Sequence, residues 1–302
     1  GQTVPGPSAL RPRRGWQYRE GKSSPLGSSK AHRMQPPILE QKLDRLRTLL
    51  TEMGSVVVAY SGGIDSTFVL KVAHDQLHEK AVGITAISPT FPSLELEAAE
   101  RVAQEIGARH ETVQTDQLTI DDFVRNDANR CFHCKTDLYQ LLGNVRQSRA
   151  VTYVVDGTNL DDLGDDRPGI KAAREWGVRS PLVEAELSKA DIRILAKELG
   201  LSNWDKPAAA CLSSRIPRGI VITSTQLSRV EGAEAVLHHE GFRHFRVRNH
   251  GEIARIELAQ EEIPRLMESN RCTEISARLK ELGFKFVTVD LEGYRPGGVT
   301  LS

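Results

Sequence analysis

The run Val56-Val57-Val58-Ala59-Tyr60-Ser61-Gly62-Gly63-Ile64-Asp65-Ser66-Thr67 decides how this chain folds. Four small apolar residues read as a buried strand, which feeds directly into a glycine turn and then a helix from about Thr67. Gly62 and Gly63 let the backbone turn tightly and bring N–H groups close to an anion. The hydroxyls of Ser61 and Ser66 add donors, and the helix contributes its positive end. The junction is suited to pyrophosphate. Asp65 would repel a phosphate unless a cation stood between them, which marks it as a Mg2+ or attacking-group contact. The lysine of a Walker A loop is missing.

Outward from this junction, helical and strand patterns alternate. A helix over about Leu39–Met53 precedes the strand, and the helix after the glycine turn runs to about His78. A strand follows at Val82–Ile87, then an amphipathic helix over Ser93–Ile106 with Leu94, Ala98, Val102 and Ile106 on one face, and a short strand at His110–Gln114. Val151–Val155 reads as another buried strand and ends in Asp156-Gly157-Thr158-Asn159. The pattern predicts an α/β fold, an open parallel sheet of Rossmann type with helices on both faces. Ligands of such sheets sit at the carboxyl ends of the strands. That rule assigns Ser61–Gly63 to phosphates, Ser88-Pro89-Thr90 to adenine or ribose, and Gly157 and Thr158 to the ribose or substrate side.

A capping pattern, Ser188 to Asp191, opens a helix that ends near Gly200. After Pro217-Arg218-Gly219 the style changes to helix (225–239), strand (242–248), strand (253–258), helix (261–282) and strand (286–290). The expected organisation is therefore a nucleotide domain over 34–217 and a smaller C-terminal α/β domain over 218–302.

Composition narrows the function. The 302-residue chain has no formal net charge, but seven of its 40 basic residues and only one of its 40 acidic residues fall within 1–33, leaving 33 basic against 39 acidic residues. An acidic body with 5% aromatic residues argues against a nucleic-acid partner. The leader 1–33 is rich in Pro, Gly and Ser and reads as disordered or non-native, with an Arg- and Ser-rich transit segment as the alternative. No segment approaches the ~18 apolar residues of a membrane span. Four cysteines without a secretory signal imply a reducing, cytoplasmic setting, where paired thiols bind metal or react.

Two further stretches carry cysteines. In Asn129-Arg130-Cys131-Phe132-His133-Cys134-Lys135 a CxxC is flanked by basic residues at the start of a helix. In the segment from Pro207 to Gly219, Cys211 lies in a proline-bounded loop with cations nearby, a setting that favours the thiolate. The CxxC also suits half a zinc site completed by His133 and Cys211. Cys272, between Arg271 and Thr273 on a helix, reads as an ordinary packed cysteine.

Ser61–Thr67 resembles the PP-loop of the ATP pyrophosphatases, which cleave ATP between the α and β phosphates to adenylate a substrate. Together with the cysteine stretches, residues 34–302 closely resemble the LarE family of ATP-dependent sulfur transferases of nickel-pincer nucleotide biosynthesis. The likeness includes Asp156–Asn159, Asp161-Asp162, Asp165–Gly169, Ala210–Pro217, Phe245–Arg248 and Leu291–Arg295. It implies adenylation of a carboxylate of pyridinium-3,5-biscarboxylic acid mononucleotide, with ATP and Mg2+, and its conversion to a thiocarboxylate. One branch of the family sacrifices the cysteine matching Cys211. Another holds a [4Fe-4S] cluster on three cysteines, and this chain has all three, Cys131, Cys134 and Cys211, with zinc as the alternative occupant. The resemblance further implies substrate contacts from Arg246 and Arg248, with Ser214, Arg215, Glu234 and Arg295 as lesser candidates, a trimer-based homo-oligomer, and sulfide or another sulfur donor. A tRNA thiolation enzyme, an amide-forming PP-loop synthetase and a nucleotide-binding sensor without turnover are the competing readings. The first lacks a visible RNA-binding module, and the second lacks a recognisable ammonia source.

Overall fold

The computed structural model of the chain describes residues 36–164, 168–207 and 209–295; the leader and Asp165, Asp166, Arg167 and Ala208 lie outside the described residues. Strands β1 (Val56–Ala59), β2 (Ala81–Ile87), β3 (Arg109–Gln114) and β4 (Tyr153–Val155) form one parallel sheet in the order β3-β2-β1-β4. β1 is central, and its three valines divide by the two-residue period of a strand. Val56 and Val58 face a core built from α1 (Pro36–Met53), α2 (Ile64–Leu77) and α3 (Ser93–Ile106). Val57 faces a second core. Between α3 and that core's helices the chain makes the short α4 (Asp121–Val124), then α5 (Arg130–Ser148) and α6 (Pro168–Glu175), which close the second face with Tyr139, Leu142, Ala172 and Ala173.

Past the sheet come α7 (Pro181–Glu184), α8 (Lys189–Glu198) and α9 (Ser224–His239). Helix α8 begins at a complete capping box between Ser188 and Asp191, as the sequence pattern requires. A three-stranded sheet follows, of β5 (Phe245–His250), β6 (Ile253–Leu258) and β7 (Phe286–Val289), with β5 antiparallel and β7 parallel to β6. Its core joins Phe245 and Val247 to Leu237 of α9 and to Ile275 and Leu279 of α11 (Ser269–Glu281), which follows the four-residue α10 (Ile263–Leu266). Among the described residues, no helix is long and apolar enough to cross a membrane.

Among the boundaries that differ from the sequence reading, three have a clear backbone reason. The helix expected over 261–282 is divided: Pro264 sits in the first turn of α10, where its missing N–H costs nothing, and Glu268 is extended before α11 starts. The strand expected from Phe242 starts at Phe245, because Phe242 closes α9. With Gly241 left-handed at φ +79°, the Phe242 N–H donates to Leu237 O at 3.1 Å, and the side chain is buried in the core of the three-stranded sheet. Val151 likewise spends its N–H on Arg146 O of α5, so β4 begins at Tyr153.

Gly62 is the tightest point of the central turn. Its φ is +69°, and a Cβ built there would stand 2.6 Å from Ala99 Cβ and 2.8 Å from Ala99 Cα, a clash with helix backbone. Gly62→Ala is therefore expected to lower unfolding stability by about 2–5 kcal/mol, from the left-handed penalty plus overpacking. Urea unfolding measures it; a variant with an unchanged midpoint would show that the turn relaxes freely.

Candidate active site

The carboxyl ends of β1, β2 and β4 open onto a cleft of about 610 Å³. Ser61, Gly63, Asp65 and Ser66 form one wall, Ser88 and Thr90 a second, and Gly157 and Thr158 a third. The α2 helix starts at Ile64, three residues earlier than its sequence suggests, with Gly63 at its N-cap and no side chain capping it. The first N–H groups of an uncapped helix lack intrahelical partners, so this end is open to an anion. The turn itself is held from behind. Asn203 Nδ2 donates to Gly62 O at 3.2 Å and to Thr67 Oγ1 at 3.0 Å, and Lys206 Nζ reaches Gly62 O at 3.3 Å. Ser66 Oγ bonds Gly63 O at 3.1 Å and lies 3.2 Å from Ser61 Oγ.

Asp65 is only half satisfied. Its Oδ2 is paired with Lys189 Nζ, whereas its Oδ1 is buried without a hydrogen-bond partner. Burial raises the pKa of this carboxyl, with Lys189 pulling the other way and Asp162 adding to the rise. An orphaned carboxylate oxygen beside a phosphate cradle fits a Mg2+ ion, which would satisfy Oδ1 and offset the neighbouring acid. Lys189 is a residue that the sequence reading missed. It is the first residue of α8, and side chains there point back past the helix N-terminus, so the capping box at Ser188 was the available signal. It brings to the loop the positive charge that the missing Walker lysine would have supplied.

Asp156, at the end of β4, organises the third wall. It accepts hydrogen bonds from Tyr139 Oη (2.9 Å), Ser180 Oγ (2.8 Å), Thr158 Oγ1 (2.8 Å) and Thr158 N (3.1 Å). Gly157 packs so closely that a Cβ there would lie 2.7 Å from Ser66 N, which joins this wall to the start of α2. Tyr139 belongs to α5, the helix that carries the CxxC. Burial and the adjacent Asp156 raise its phenol pKa, so it remains a donor.

Cys131, Cys134 and Cys211 all line the same cleft as the glycine turn. Cys131 is exposed; Cys134 packs against a small core that includes Leu212 and Ile216 of the Cys211 loop. Burial, and after it the neighbouring Cys211, push the Cys134 thiol up to about 12; Cys131 adds to the rise and Lys135 opposes it. Cys211 Sγ lies 2.9 Å from Ser213 Oγ. Among the described residues, no three His, Cys, Asp or Glu side chains stand together at metal-holding distance. Cys272 lies on α11, half-buried and outside this cleft.

The C-terminal residues expected at the substrate collect in a separate polar network, one turn beyond Cys211. Arg215 is buried and makes a bidentate pair with Glu234 at 2.9 and 3.0 Å, and it also donates to Cys211 O at 2.8 Å. Arg248 grips Glu257 bidentately and donates to Ser214 O at 2.9 Å. The Arg246 guanidinium lies 5.1 Å from the centre of the Tyr294 ring, and its pKa is lowered by burial and by the charge of Arg215. Arg295 is exposed and paired with Glu292, apart from these contacts.

Comparison with known proteins bears on this geometry. An asparagine synthase family model matches residues 44–136, the part that holds the glycine turn. An uncharacterised protein of Synechocystis is 46% identical over 260 residues, covering 86% of this chain and 97% of its own. The pyridinium-3,5-bisthiocarboxylic acid mononucleotide synthase of Lactiplantibacillus plantarum is 39% identical over 260 residues, 86% of this chain and 94% of its own. An uncharacterised protein of Methanocaldococcus jannaschii is 31% identical over 258 residues, 84% and 98% of the two chains.

Two outcomes follow from the cleft. Lys189→Met should reduce ATP-dependent pyrophosphate release roughly a hundredfold, as removal of one charge-stabilising group does elsewhere, with Lys189→Arg retaining part of the rate; equal rates in both would remove Lys189 from the phosphate site. In metal-free protein, alkylation followed by peptide mapping should label Cys131 first and Cys134 last, because a thiol with a pKa near 12 stays protonated through the neutral range. Early labelling of Cys134 would contradict its burial.

Proposed function

The chain belongs to the family of the pyridinium-3,5-bisthiocarboxylic acid mononucleotide synthase, the LarE family of ATP-dependent sulfur-transferring enzymes, and from this premise we propose its substrate and the roles of its residues. The substrate is pyridinium-3,5-biscarboxylic acid mononucleotide. One of its carboxylates attacks the α-phosphorus of ATP and displaces pyrophosphate, forming an acyl adenylate. A sulfur nucleophile then attacks the carbonyl carbon, the C–O bond to the phosphate breaks, and AMP departs with that electron pair. Activation is needed because a carboxylate oxygen cannot leave as oxide, whereas AMP can.

The observation that carries this reading is the shared cleft: the open helix end and all three thiols face one volume of about 610 Å³. In the proposed roles, Ser61, Gly62, Gly63 and Ser66 bind the departing pyrophosphate. Asp65 holds Mg2+, Lys189 adds positive charge, and Ser88, Gly157 and Thr158 bound the nucleoside. Ser214, Arg215, Glu234, Arg246 and Arg248 bind the substrate's anionic groups. Arg246 fits that role because its charge is desolvated beside other arginines, a cost that a bound phosphate would relieve. Residues 218–302 are assigned to substrate binding and assembly into a trimer-based oligomer.

Cys131, Cys134 and Cys211 would hold a [4Fe-4S] cluster. Their chemistry suits it, since three thiolates would leave one iron of a four-iron cube without a protein ligand, and all three side chains line one cleft. Such a cluster, when bound, supplies exchangeable sulfide. The chain's own residues meanwhile exclude water, hold the adenylate and orient its carbonyl toward the cysteine wall.

Iron, sulfide and zinc analysis of anaerobically reconstituted protein tests this reading, before and after turnover with ATP and the dicarboxylate nucleotide. About four irons per chain with multiple turnovers support it. Absence of iron, with Cys211 lighter by hydrogen sulfide after turnover, would replace it with a single-use cysteine donor. Cys131→Ala, Cys134→Ala and Cys211→Ala should each abolish cluster binding and thiocarboxylate formation while pyrophosphate release persists. Loss of transfer in Cys211→Ala alone would overturn the cluster.

A further inference from the structure

The cysteines reach the cleft from two segments remote in sequence, and a set of hydrogen bonds centred on Asn126 helps to fasten those segments together. Asn126, between α4 and α5, is fully buried and left-handed at φ +57°, a conformation that asparagine adopts more readily than most residues. Its polar atoms all have partners. Nδ2 donates to Pro217 O at 2.8 Å and to Ile220 O at 2.9 Å. The backbone O accepts from Gly219 N at 3.0 Å, and the backbone N donates to Phe123 O at 3.0 Å. Oδ1 accepts from Arg130 Nη1 at 2.5 Å, and the same Nη1 donates to Ser213 O at 3.0 Å.

Arg130 is the residue before Cys131, and Ser213 is two residues after Cys211. Between Cys211 and Ser213, Leu212 donates its N–H to Thr90 O at 2.9 Å. The two residues that follow Cys211 are thus tied to the segment after β2 and to the first turn of the CxxC helix. A buried amide with both hydrogens spent on one loop specifies that loop's place, because any displacement leaves unpaired polar atoms in the interior.

We propose that Asn126 and Arg130 are positioning residues, a clasp that fixes the separation between Cys211 and the Cys131–Cys134 pair so that the three thiols serve one sulfur-handling centre. The proposal rests on the shared role of the three cysteines given under Proposed function. It assigns no contact with substrate to either residue.

Thiol proximity tests it directly. Metal-free protein carrying Cys272→Ser is treated with dibromobimane, a short bifunctional thiol reagent, and the joined pairs are mapped. The parent protein should join Cys211 to Cys131 or Cys134. Asn126→Asp, which keeps the shape but removes both donors, and Arg130→Met should each slow that cross-link about tenfold or more, the scale of a sub-ångström to ångström misplacement. Arg130→Lys should restore part of it. Cross-linking of Cys131 to Cys134, which share one helical turn, and ATP-dependent pyrophosphate release should be unchanged.

Unaltered Cys211 cross-linking in both variants would overturn the clasp alone, and so would a matching fall in the Cys131–Cys134 control, which signals general loosening. Failure of the parent protein to cross-link Cys211 at all would overturn the shared-thiol reading and the clasp with it. Should Asn126→Asp not fold, Arg130→Met decides, since Arg130 is only half-buried.

Discussion

Everything at the cleft depends on the parallel pairing of β1 with both of its neighbours. Val58 lies opposite Gly83 on β2 and Val155 on β4, so β1 and β4 end within a residue of each other, β2 runs a few residues further, and the turns leaving all three gather at one edge. That register is set by burial on both faces: a slip of one residue would exchange Val57 with its neighbours between two closed cores. Three loops with unrelated sequences thereby become the walls of one volume. The cost falls on the tightest turn. Gly62 must be left-handed and must pass within contact distance of Ala99, and Gly157 must approach the backbone of Ser66. Neither position has room for a Cβ, so the glycines are set by packing as much as by access to phosphate.

The electrostatics of the cleft are balanced but not complete. A helix N-terminus and Lys189 supply positive charge, and Asp65 supplies a carboxylate with one oxygen partnered and one not. Burial raises the carboxyl's pKa and the lysine opposes the rise. A divalent cation arriving with nucleotide phosphates would satisfy the orphaned oxygen and free Lys189 to face the phosphates. In the C-terminal network, Arg215 and Arg248 are each held by a carboxylate, Glu234 and Glu257.

What the sequence made legible tracks local determinants. The valine run, the glycine turn and the Ser188–Asp191 box are short patterns with one physical solution each, and the corresponding elements stand within a few residues of their expected places. The amphipathic α3 matched its predicted span. Errors clustered where a residue's backbone bond goes somewhere other than its pattern suggests: Phe242 and Val151 look like strand residues but close helices. In the site, residues that present themselves next to a motif were found, whereas Lys189, Asn203 and Asn126 were not. Each of those three acts on a partner many tens of residues away, and a local pattern offered a signal only for Lys189, in the Ser188 capping box. Alternation placed Arg246 and Arg248 of β5 on one polar face, but the pairing of Arg215 with Glu234 and of Arg248 with Glu257 becomes visible only when α9 and β6 are in place.

The location of the thiols has its own rationale. Cys131 and Cys134 sit on the first turn of a helix whose later residues are anchored twice: Asp137 accepts from Thr115 at 2.7 Å and from Gln117 at 2.9 Å, and Tyr139 is tied to Asp156. Cys211 sits in the connection between the two sheets, where Leu212 and Ile216 pack with Phe123, Leu227 and Val230. A loop between two cores can be fastened to both without disturbing either register, so the position of Cys211 is adjustable by a few side-chain contacts while the glycine turn stays fixed by the central strand. Under the proposed roles this division separates activation from sulfur delivery: the first would be built into the sheet, and the second would depend on polar contacts between segments remote in sequence. The adenylating half of the site should therefore withstand changes to the sulfur half, because no hydrogen bond that shapes the glycine turn comes from α5 or from the Cys211 loop among the described residues.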